Sequence, residues 1–340
     1  QQLGRVYEKV APLSASDLWS PLGTAVAVLE RYLPLGQVAL GAAAAAPTLL
    51  GESRPIQYLI LAQNADELRA TGGFISGIGL LSVERGRIGQ PVFKDSYAVD
   101  KFTVDHPFAP EPMQRHMGIV LWTTRDGNWS PDYPTAAQAV EDLYHLENSR
   151  DIAGVIAVDM EALGAIVAAI GPLEMEGEQE LLTADNLVQK VREYWAPGLS
   201  EDADWEEWRG EDKRTREYGK WFQHRKDFMA VLARALMSKL QRQGGIDQLY
   251  DLARATKKMI DEKHIQLYFH EAAVQELLDK ARMDGALGHG ADGDYLLVLD
   301  TNMGYNKVNA NVEKQIAYEV VLARDSRPSA TVTITYVNHS

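Results

Sequence analysis

The stretch IQYLILAQNADELRATGGFISG, residues 56–77, joins two apolar runs through a polar turn. Its first part, 56–62, is short, apolar and rich in β-branched and aromatic side chains, which is typical of a buried strand. A second apolar run begins at Phe74. The Thr-Gly-Gly sequence at 71–73 lets backbone amides approach a ligand closely, because glycine has no side chain. The stretch therefore predicts two strands joined either by an ordinary capped turn or by the wall of a binding site.

Strands and helices alternate beyond this stretch. Residues 152–158 predict another buried strand, and Asp159 is the expected N-cap of a helix over 160–170. Further helical patterns lie at 213–243, 246–262 and 270–283, and strand patterns at 295–300, 313–325 and 329–337. This order predicts an α/β fold: a layered α/β/α sandwich with a mixed central sheet, an N-terminal helical segment and a C-terminal β-hairpin.

We expect three regions along the chain. Residues 1–50 predict a helical segment, the remnant of a membrane-proximal region, and residues 51–290 predict the α/β core. Residues 291–340 supply strands that either join the same sheet or belong to a truncated β-domain. The chain opens without an initiator methionine, so we interpret it as a fragment whose signal or membrane anchor lies upstream.

The composition excludes several classes of function. The 340 residues are enough to bury a sizeable core, and the formal net charge is −14. That charge repels phosphate backbones, so we expect no nucleic-acid partner. Cysteine is absent, which excludes thiol nucleophiles, zinc–thiolate sites and disulfides. The eight histidines show no metal-spaced pair and no Ser-His-Asp arrangement.

Polar side chains after the first strand form the first candidate site. Asn64 lies at the carboxyl end of that strand, where ligands commonly bind in open α/β sheets. Glu67 and Arg69 follow closely, and the glycine spacing is not that of a phosphate-binding loop. The structural alternative is a capped turn in which Glu67 or Asp66 pairs with Arg69.

Two further loops carry polar groups. In FKDSYAVD, 93–100, Lys94 suits phosphate and Asp95 suits a divalent cation or a proton, although a surface ion pair explains both. In TTRDGNWSPDYP, 123–134, Trp129 either stacks on a sugar or closes the core. The asparagine-rich segment 300–314 predicts a bulged loop by default and a glycan-contacting loop as the alternative.

A charge reversal marks the second half of the chain. Residues 201–212 are strongly acidic, and residues 213–226 are strongly basic. Clustered cations on adjacent helix faces repel one another unless anions lie between them. Those anions are either the preceding acidic segment or a pyrophosphate held by arginine side chains.

Several of these stretches together resemble one bacterial family, catalogued as domain of unknown function 4012. They are YLILAQNADELRATGGFISG, RDGNWSPDYPTAA, the GVIAVD…AIGPLEMEG segment and NMGYNKVNANVEKQIAYEV. The resemblance runs over most of residues 50–338. It implies an extracytoplasmic, membrane-anchored protein of the cell envelope, with its hydrophobic anchor outside this fragment.

The order of elements is also similar, more weakly, to the LytR-CpsA-Psr enzymes, which transfer polyprenyl-pyrophosphate-linked glycopolymers to envelope acceptors. This resemblance implies a Mg²⁺ cofactor and an anionic-ligand site. The implied catalytic residues are Arg69 and Asp95, the substrate-binding residues are Asn64, Lys94, Arg214, Arg216 and Arg225, and the metal ligands are Glu67 and Asp95.

The sequence departs from that second family at three places. The acid expected after the first arginine is replaced by Thr71-Gly72, Lys94 stands where an arginine is expected, and the last basic motif is altered around Arg225. The resemblance thus leaves two functions open. One is a glycopolymer transferase of the phosphotransferase type; the alternative is a non-catalytic glycan- or protein-binding module. The expected partner is a polyprenyl-pyrophosphate glycan or an envelope polysaccharide.

Overall fold

The structure, a computed structural model, describes most of the chain. The described residues are 22, 26, 41, 43–148, 151–176, 178–195, 227–242, 245–288, 294–322 and 328–340. Most of the predicted N-terminal segment and all of the basic segment 213–226 lie outside them, so Arg214, Arg216 and Arg225 do as well.

A six-stranded mixed sheet forms the centre of the described structure, in the order β3-β2-β1-β5-β6 with β4 paired to β2. Its strands are β1 (Ile56–Asn64), β2 (Phe74–Glu84), β3 (Arg87–Ile88), β4 (Val92–Asp95), β5 (Ile152–Val158) and β6 (Ile265–Phe269). β1 runs parallel to β5, and every other pair in this sheet is antiparallel. The predicted mixed sheet is therefore confirmed.

Helices cover both faces of this sheet. In chain order they are α1 (Glu111–Met117), α2 (Tyr133–His145), α3 (Met160–Ile170), α4 (Ala184–Trp195), α5 (Asp227–Gln241), α6 (Ile246–Asp261) and α7 (Ala272–Lys280). Successive side chains of a strand point to opposite faces. Leu59 and Leu61 of β1 accordingly share a core with α2, whereas Ala62 packs with α3, α4 and α5 on the other face. The predicted α/β/α sandwich is confirmed.

Aspartate caps mark where α2 and α3 begin. The Asp159 carboxylate accepts a hydrogen bond from the Ala162 amide at 3.0 Å, as predicted for the start of α3. At the start of α2, the Asp132 carboxylate accepts a hydrogen bond from the Thr135 amide at 3.1 Å. Each cap satisfies an amide that has no partner inside the helix. The caps set α2 and α3 against opposite faces of β1 and β5.

The C-terminal strands β7 (Val312–Val321) and β8 (Ser329–Asn338) form the predicted hairpin. They pair with each other in a separate two-stranded sheet. Three local expectations were wrong or incomplete: residues 295–300 are not a strand, and β6 and α1 were not predicted. Within the described ranges, no helix has the length and apolar character needed to cross a bilayer.

Candidate functional site

The turn after β1 is held rigidly by buried hydrogen bonds. The β1–β2 register shifts between Ala62 and Gln63. The Gln63 amide then donates to the Thr71 hydroxyl at 2.7 Å, and the Asn128 amide donates to the same hydroxyl at 2.9 Å. Gly73 lies so close to the Asn64 backbone that a Cβ there would stand 2.4 Å from the Asn64 carbonyl carbon. The Thr-Gly-Gly sequence thus serves close backbone packing.

Arg69 is buried at the centre of this turn, with 3% of its surface exposed. Its guanidinium lies 2.9 Å from the Glu67 carboxylate and donates to the carbonyl of Asn302 at 3.0 Å. A second carboxylate, that of Asp126, lies 3.8 Å away. The sequence left open whether Glu67 or Asp66 pairs with Arg69, and the structure contains the pairing with Glu67. Asp66 pairs instead with Arg192 on α4, at 2.6 Å.

The second carboxylate beside Arg69, that of Asp126, comes from a distant part of the sequence. Asp126 is 3% exposed and lies in a short 3₁₀ turn, 124–126. Burial raises the pKa of its carboxyl, against the opposing charges of Arg125 and Arg69. The Arg125 guanidinium in turn stacks 4.3 Å over the Tyr97 ring. Asp126 is distant from Arg69 in sequence, so its role was not predicted.

The asparagine-rich loop packs directly on the Arg69 turn. The Asn302 amide donates to the Leu68 carbonyl at 2.9 Å, and the Asn309 side chain accepts from the Leu68 amide at 3.2 Å. Asn302 and Asn309 also bond to each other through their side chains at 2.8 Å. The two most distinctive stretches of the sequence, 63–73 and 300–309, therefore form one unit, which we call the Arg69 cluster.

A groove of about 650 Å³ opens between the Arg69 cluster and the C-terminal hairpin. Its polar lining includes Asp300, Thr301, Asn306, Lys314 and Tyr336, and its apolar lining includes Leu68. Asp300 accepts hydrogen bonds from Lys314 on β7 and from the Tyr336 hydroxyl on β8, each at 2.7 Å. These two contacts fix the hairpin side of the groove.

The other predicted site residues have the following positions. Asn64 is 2% exposed, and its side chain accepts from the Asp66 amide at 3.0 Å. Lys94 is exposed on β4, whereas Asp95 is half-buried and caps a 3₁₀ turn by accepting from the Tyr97 amide at 3.1 Å. Their catalytic, substrate-binding and metal-binding roles remain predictions, as do those of the three arginines outside the described residues.

A second buried cluster, formed by Asp100, His106 and Glu147, was not predicted. We call it the His106 cluster; its ligand atoms all lie within 4.8 Å of one another. The three residues are widely separated in sequence and match no metal-binding spacing, so no local signal identifies them. Asp100 ends the candidate stretch 93–100, but neither Asp100 nor Glu147 was predicted to be a ligand.

The carboxylates of the His106 cluster are fixed by the backbone. Burial raises the pKa of Asp100, against hydrogen bonds from Thr124. Burial also acts to raise the pKa of Glu147, but hydrogen bonds from the amides and hydroxyl of the 101–103 segment outweigh it and lower that pKa to about 2. Segment 123–126 joins the two clusters, since Thr124 bonds to Asp100 and the Asp126 carboxylate lies 3.8 Å from the Arg69 guanidinium.

The fold and the site together define the class of protein. It is an α/β/α protein whose candidate site is a rigid cluster of polar loops, the Arg69 cluster, rather than a nucleotide-binding loop. Within that class, residues 54–194 match the model of the family described as Protein of unknown function (DUF4012). The predicted resemblance to that family is therefore confirmed over those residues. No curated protein matches the chain.

Several solved structures are similar to this chain at low identity. TagV from Bacillus subtilis is 10% identical, with 68% of this chain and 81% of that chain covered and a TM-score of 0.37. The gbs0355 protein from Streptococcus agalactiae is 13% identical, with 70% and 75% covered and a TM-score of 0.39. Lin1025 from Listeria innocua is 13% identical, with 79% of that chain covered and a TM-score of 0.34. At such scores these likenesses carry no argument about activity.

Proposed function

We propose that this protein is an extracytoplasmic envelope protein that binds a neutral glycan, without turnover, in the groove between the Arg69 cluster and the hairpin. The observation that carries the proposal is the groove itself, about 650 Å³ in volume. One wall is held in place by the buried Arg69 guanidinium, which bonds to the Asn302 carbonyl. A wall fixed before binding lowers the entropic cost of holding a polar ligand.

The chemistry of the groove suits sugar hydroxyls. Asn306 and Thr301 supply amide and hydroxyl groups that donate and accept. The Tyr336 side chain is 51% exposed, and its hydroxyl is held by Asp300, which leaves the ring beside the groove. An amphipathic ring that is apolar on its faces and polar at its tip can cover the apolar face of a pyranose.

Charge favours a neutral glycan over a pyrophosphate. The charged residues that line the groove are Asp300 and Lys314, which pair with each other at 2.7 Å. No excess positive charge is therefore present among the described lining residues to attract a phosphate. Arg69, the implied catalytic arginine of the expected pyrophosphate site, is already paired with Glu67.

Titration of the purified chain with soluble envelope polysaccharide tests the proposal, with affinity measured by isothermal titration calorimetry. We expect Tyr336→Ala to weaken binding about tenfold or more, because the ring loses its contact with the sugar. Tyr250→Ala is the matched control, since Tyr250 is also exposed but lies on α6, away from the groove. Equal affinities for the two variants, or no binding by the unmodified chain, would contradict the proposal.

Glycopolymer transfer is the second candidate function. One observation favours it: the Arg69 Nε is buried and has no hydrogen-bond partner. A leaving pyrophosphate oxygen is a suitable acceptor for such a donor. The test supplies a polyprenyl-pyrophosphate-linked glycan with Mg²⁺ and measures release of the lipid product. If the lipid product is lost in Arg225→Ala but still released by Arg254→Ala, the chain transfers glycopolymer. If the chain binds the glycan but releases no product, it is a binding module.

A further inference from the structure

His106 presents a buried nitrogen that has no partner. Its side chain is 0% exposed, and its Nε2 forms no hydrogen bond. The other ring nitrogen, Nδ1, lies 3.1 Å from the carbonyl oxygen of Trp122. Because a carbonyl oxygen only accepts, Nδ1 donates to it. Nε2 is therefore the ring nitrogen that is left to face the His106 cluster.

Nε2 faces carboxylate oxygens. It lies 3.5 Å from the Glu147 Oε2, and Asp100 completes the group. Two carboxylates that converge in a buried space repel each other unless a cation lies between them. Among the residues that the structure describes, no lysine or arginine forms an ion pair with Asp100 or Glu147.

We propose that Asp100, His106 and Glu147 bind a divalent transition metal of the zinc class, which fastens the 100–106 loop to the chain just beyond α2. One imidazole and two carboxylates suit Zn²⁺ or Mn²⁺, whereas Mg²⁺ and Ca²⁺ take oxygen ligands. Zinc bonds of about 2.0–2.1 Å at a tetrahedral angle place two ligand atoms about 3.3 Å apart. The observed separation of Nε2 and Oε2, 3.5 Å, is close to that value.

The groups around the cluster orient its ligands as metal sites require. A metal-bound histidine usually donates its second N–H to a carbonyl or carboxylate, which fixes the ring; here the Trp122 carbonyl has that position. Thr124 fixes Asp100 through its hydroxyl at 2.6 Å, and Thr103 fixes Glu147 through its hydroxyl at 2.7 Å. These oxygens keep lone pairs for a metal. The site is independent of glycan binding in the groove.

The experiment uses the full chain, stripped with a chelator and then given Zn²⁺, Mn²⁺, Mg²⁺ or Ca²⁺ singly. We expect Zn²⁺ or Mn²⁺, at about one hundred times Kd, to raise Tm by about 5 °C. Asp100→Asn and His106→Asn should each abolish the shift. His116→Asn, which changes an exposed histidine on α1, should keep it.

A spectroscopic measurement makes the test independent of the variants. Co²⁺ added to the stripped, unmodified chain should give visible absorption bands of a tetrahedral or five-coordinate ion with one nitrogen ligand. The proposal is overturned if none of the ions shifts Tm, if only Mg²⁺ or Ca²⁺ does, or if both ligand variants keep the full shift. A His106 ring that stays doubly protonated at neutral pH with Zn²⁺ present, seen by NMR, would also overturn it.

Discussion

The two buried clusters on either side of segment 123–126 differ in how their charges are satisfied. In the Arg69 cluster, the guanidinium contacts two carboxylates and two backbone carbonyls. In the His106 cluster, the same number of carboxylates faces a histidine whose Nε2 has no partner. The first cluster contains a buried guanidinium that pairs with Glu67, whereas no described lysine or arginine forms an ion pair with the carboxylates of the second. Burial of charge alone therefore does not distinguish a structural cluster from a ligand site; the balance of donors and acceptors does.

The loops of the two clusters also have different structural roles. Arg69 connects the turn after β1 to the loop at Asn302 and so shapes the groove from beneath. His106 and its neighbours join the 100–106 loop to Trp122 and to Glu147, just beyond α2, and do not line the groove. Substitutions in the Arg69 cluster should therefore affect both stability and glycan binding. Substitutions in the His106 cluster should affect stability and metal binding.

The largest effect is expected for Arg69→Met, which removes the charge and keeps much of the side-chain volume. Glu67 would lose its cation, and Asp126 would keep only Arg125, at 3.4 Å. Breaking a buried pair from one side costs about 3–5 kcal/mol. Chemical denaturation measures the change in the free energy of unfolding. Arg115→Met is the control, because Arg115 pairs with Glu111 on an exposed helix face and such pairs contribute about 0.2–1 kcal/mol. Equal losses in the two variants would show that the Arg69 cluster is not structural.

The next effect is expected for Gly73→Ala. A Cβ at Gly73 would stand 2.5 Å from the Asn64 carbonyl oxygen and 2.7 Å from the Ala65 nitrogen. Both are backbone atoms, so the turn itself must shift, at a cost of about 1–3 kcal/mol. In the control, Gly164→Ala within α3, the Cβ meets nothing within 4 Å, and we expect a gain of about 0.5–1 kcal/mol. Denaturation curves for both variants measure the change in the free energy of unfolding. A Gly73→Ala variant as stable as the unmodified chain would mean that the turn is not rigid.

The regular part of the fold follows closely from the sequence. β1, β5 and α3 lie where apolar runs and an Asp cap predicted them, because local pattern and tertiary burial agree there. β6 was missed because it is a five-residue strand between two helices. Residues 295–300 have a strand-like pattern but form no strand; their contacts with the hairpin run through side chains, such as Asp300 with Lys314 and Tyr336.

Contacts within the site could be predicted from the sequence only where the two contacting residues are close in the chain. The pairing of Glu67 with Arg69 was one of two stated alternatives, since the residues are near neighbours. Asp126 meets Arg69, and His106 meets Glu147, only through the tertiary fold. No periodicity in a single sequence reports such a contact. The groove could not be predicted from the sequence for the same reason, because its two walls come from segments that are distant in the chain.

A smaller effect is expected for Phe102→Asn, which probes the loop of the His106 cluster. Phe102 has a φ of 55°, although it is not glycine. Left-handed backbone costs about 1–2 kcal/mol for most residues and less for asparagine. The Phe102 ring is 54% exposed and so loses little burial. We expect the free energy of unfolding to rise by about 1 kcal/mol. Phe108→Asn, at an exposed position without positive φ, should give no such rise; a similar gain there would rule out relief of backbone strain.

The smallest effect is expected for Asp300→Asn, at the surface side of the groove. Partial burial acts to raise the pKa of Asp300, but hydrogen bonds from Lys314 and Tyr336 outweigh it and lower that pKa. A carboxyl whose folded-state pKa lies below its unfolded value of about 3.9 stabilises the folded state above that pH. Its contribution is lost as the pH falls through the folded-state pKa. At pH 7 we expect Asp300→Asn to cost less than about 1 kcal/mol, because the pair is partly exposed.

The pH dependence distinguishes this surface contact from the buried clusters. The difference in unfolding free energy between the unmodified chain and Asp300→Asn should shrink as the pH falls from 7 to below 4, because protonation removes the charge that the substitution also removes. The penalty of Arg69→Met at pH 7 should far exceed that of Asp300→Asn, since Arg69 is buried among carboxylates and Asp300 is reached by solvent. An Asp300→Asn penalty that is equally large at pH 7 and below pH 4 would assign the effect to lost geometry at the groove rather than to charge.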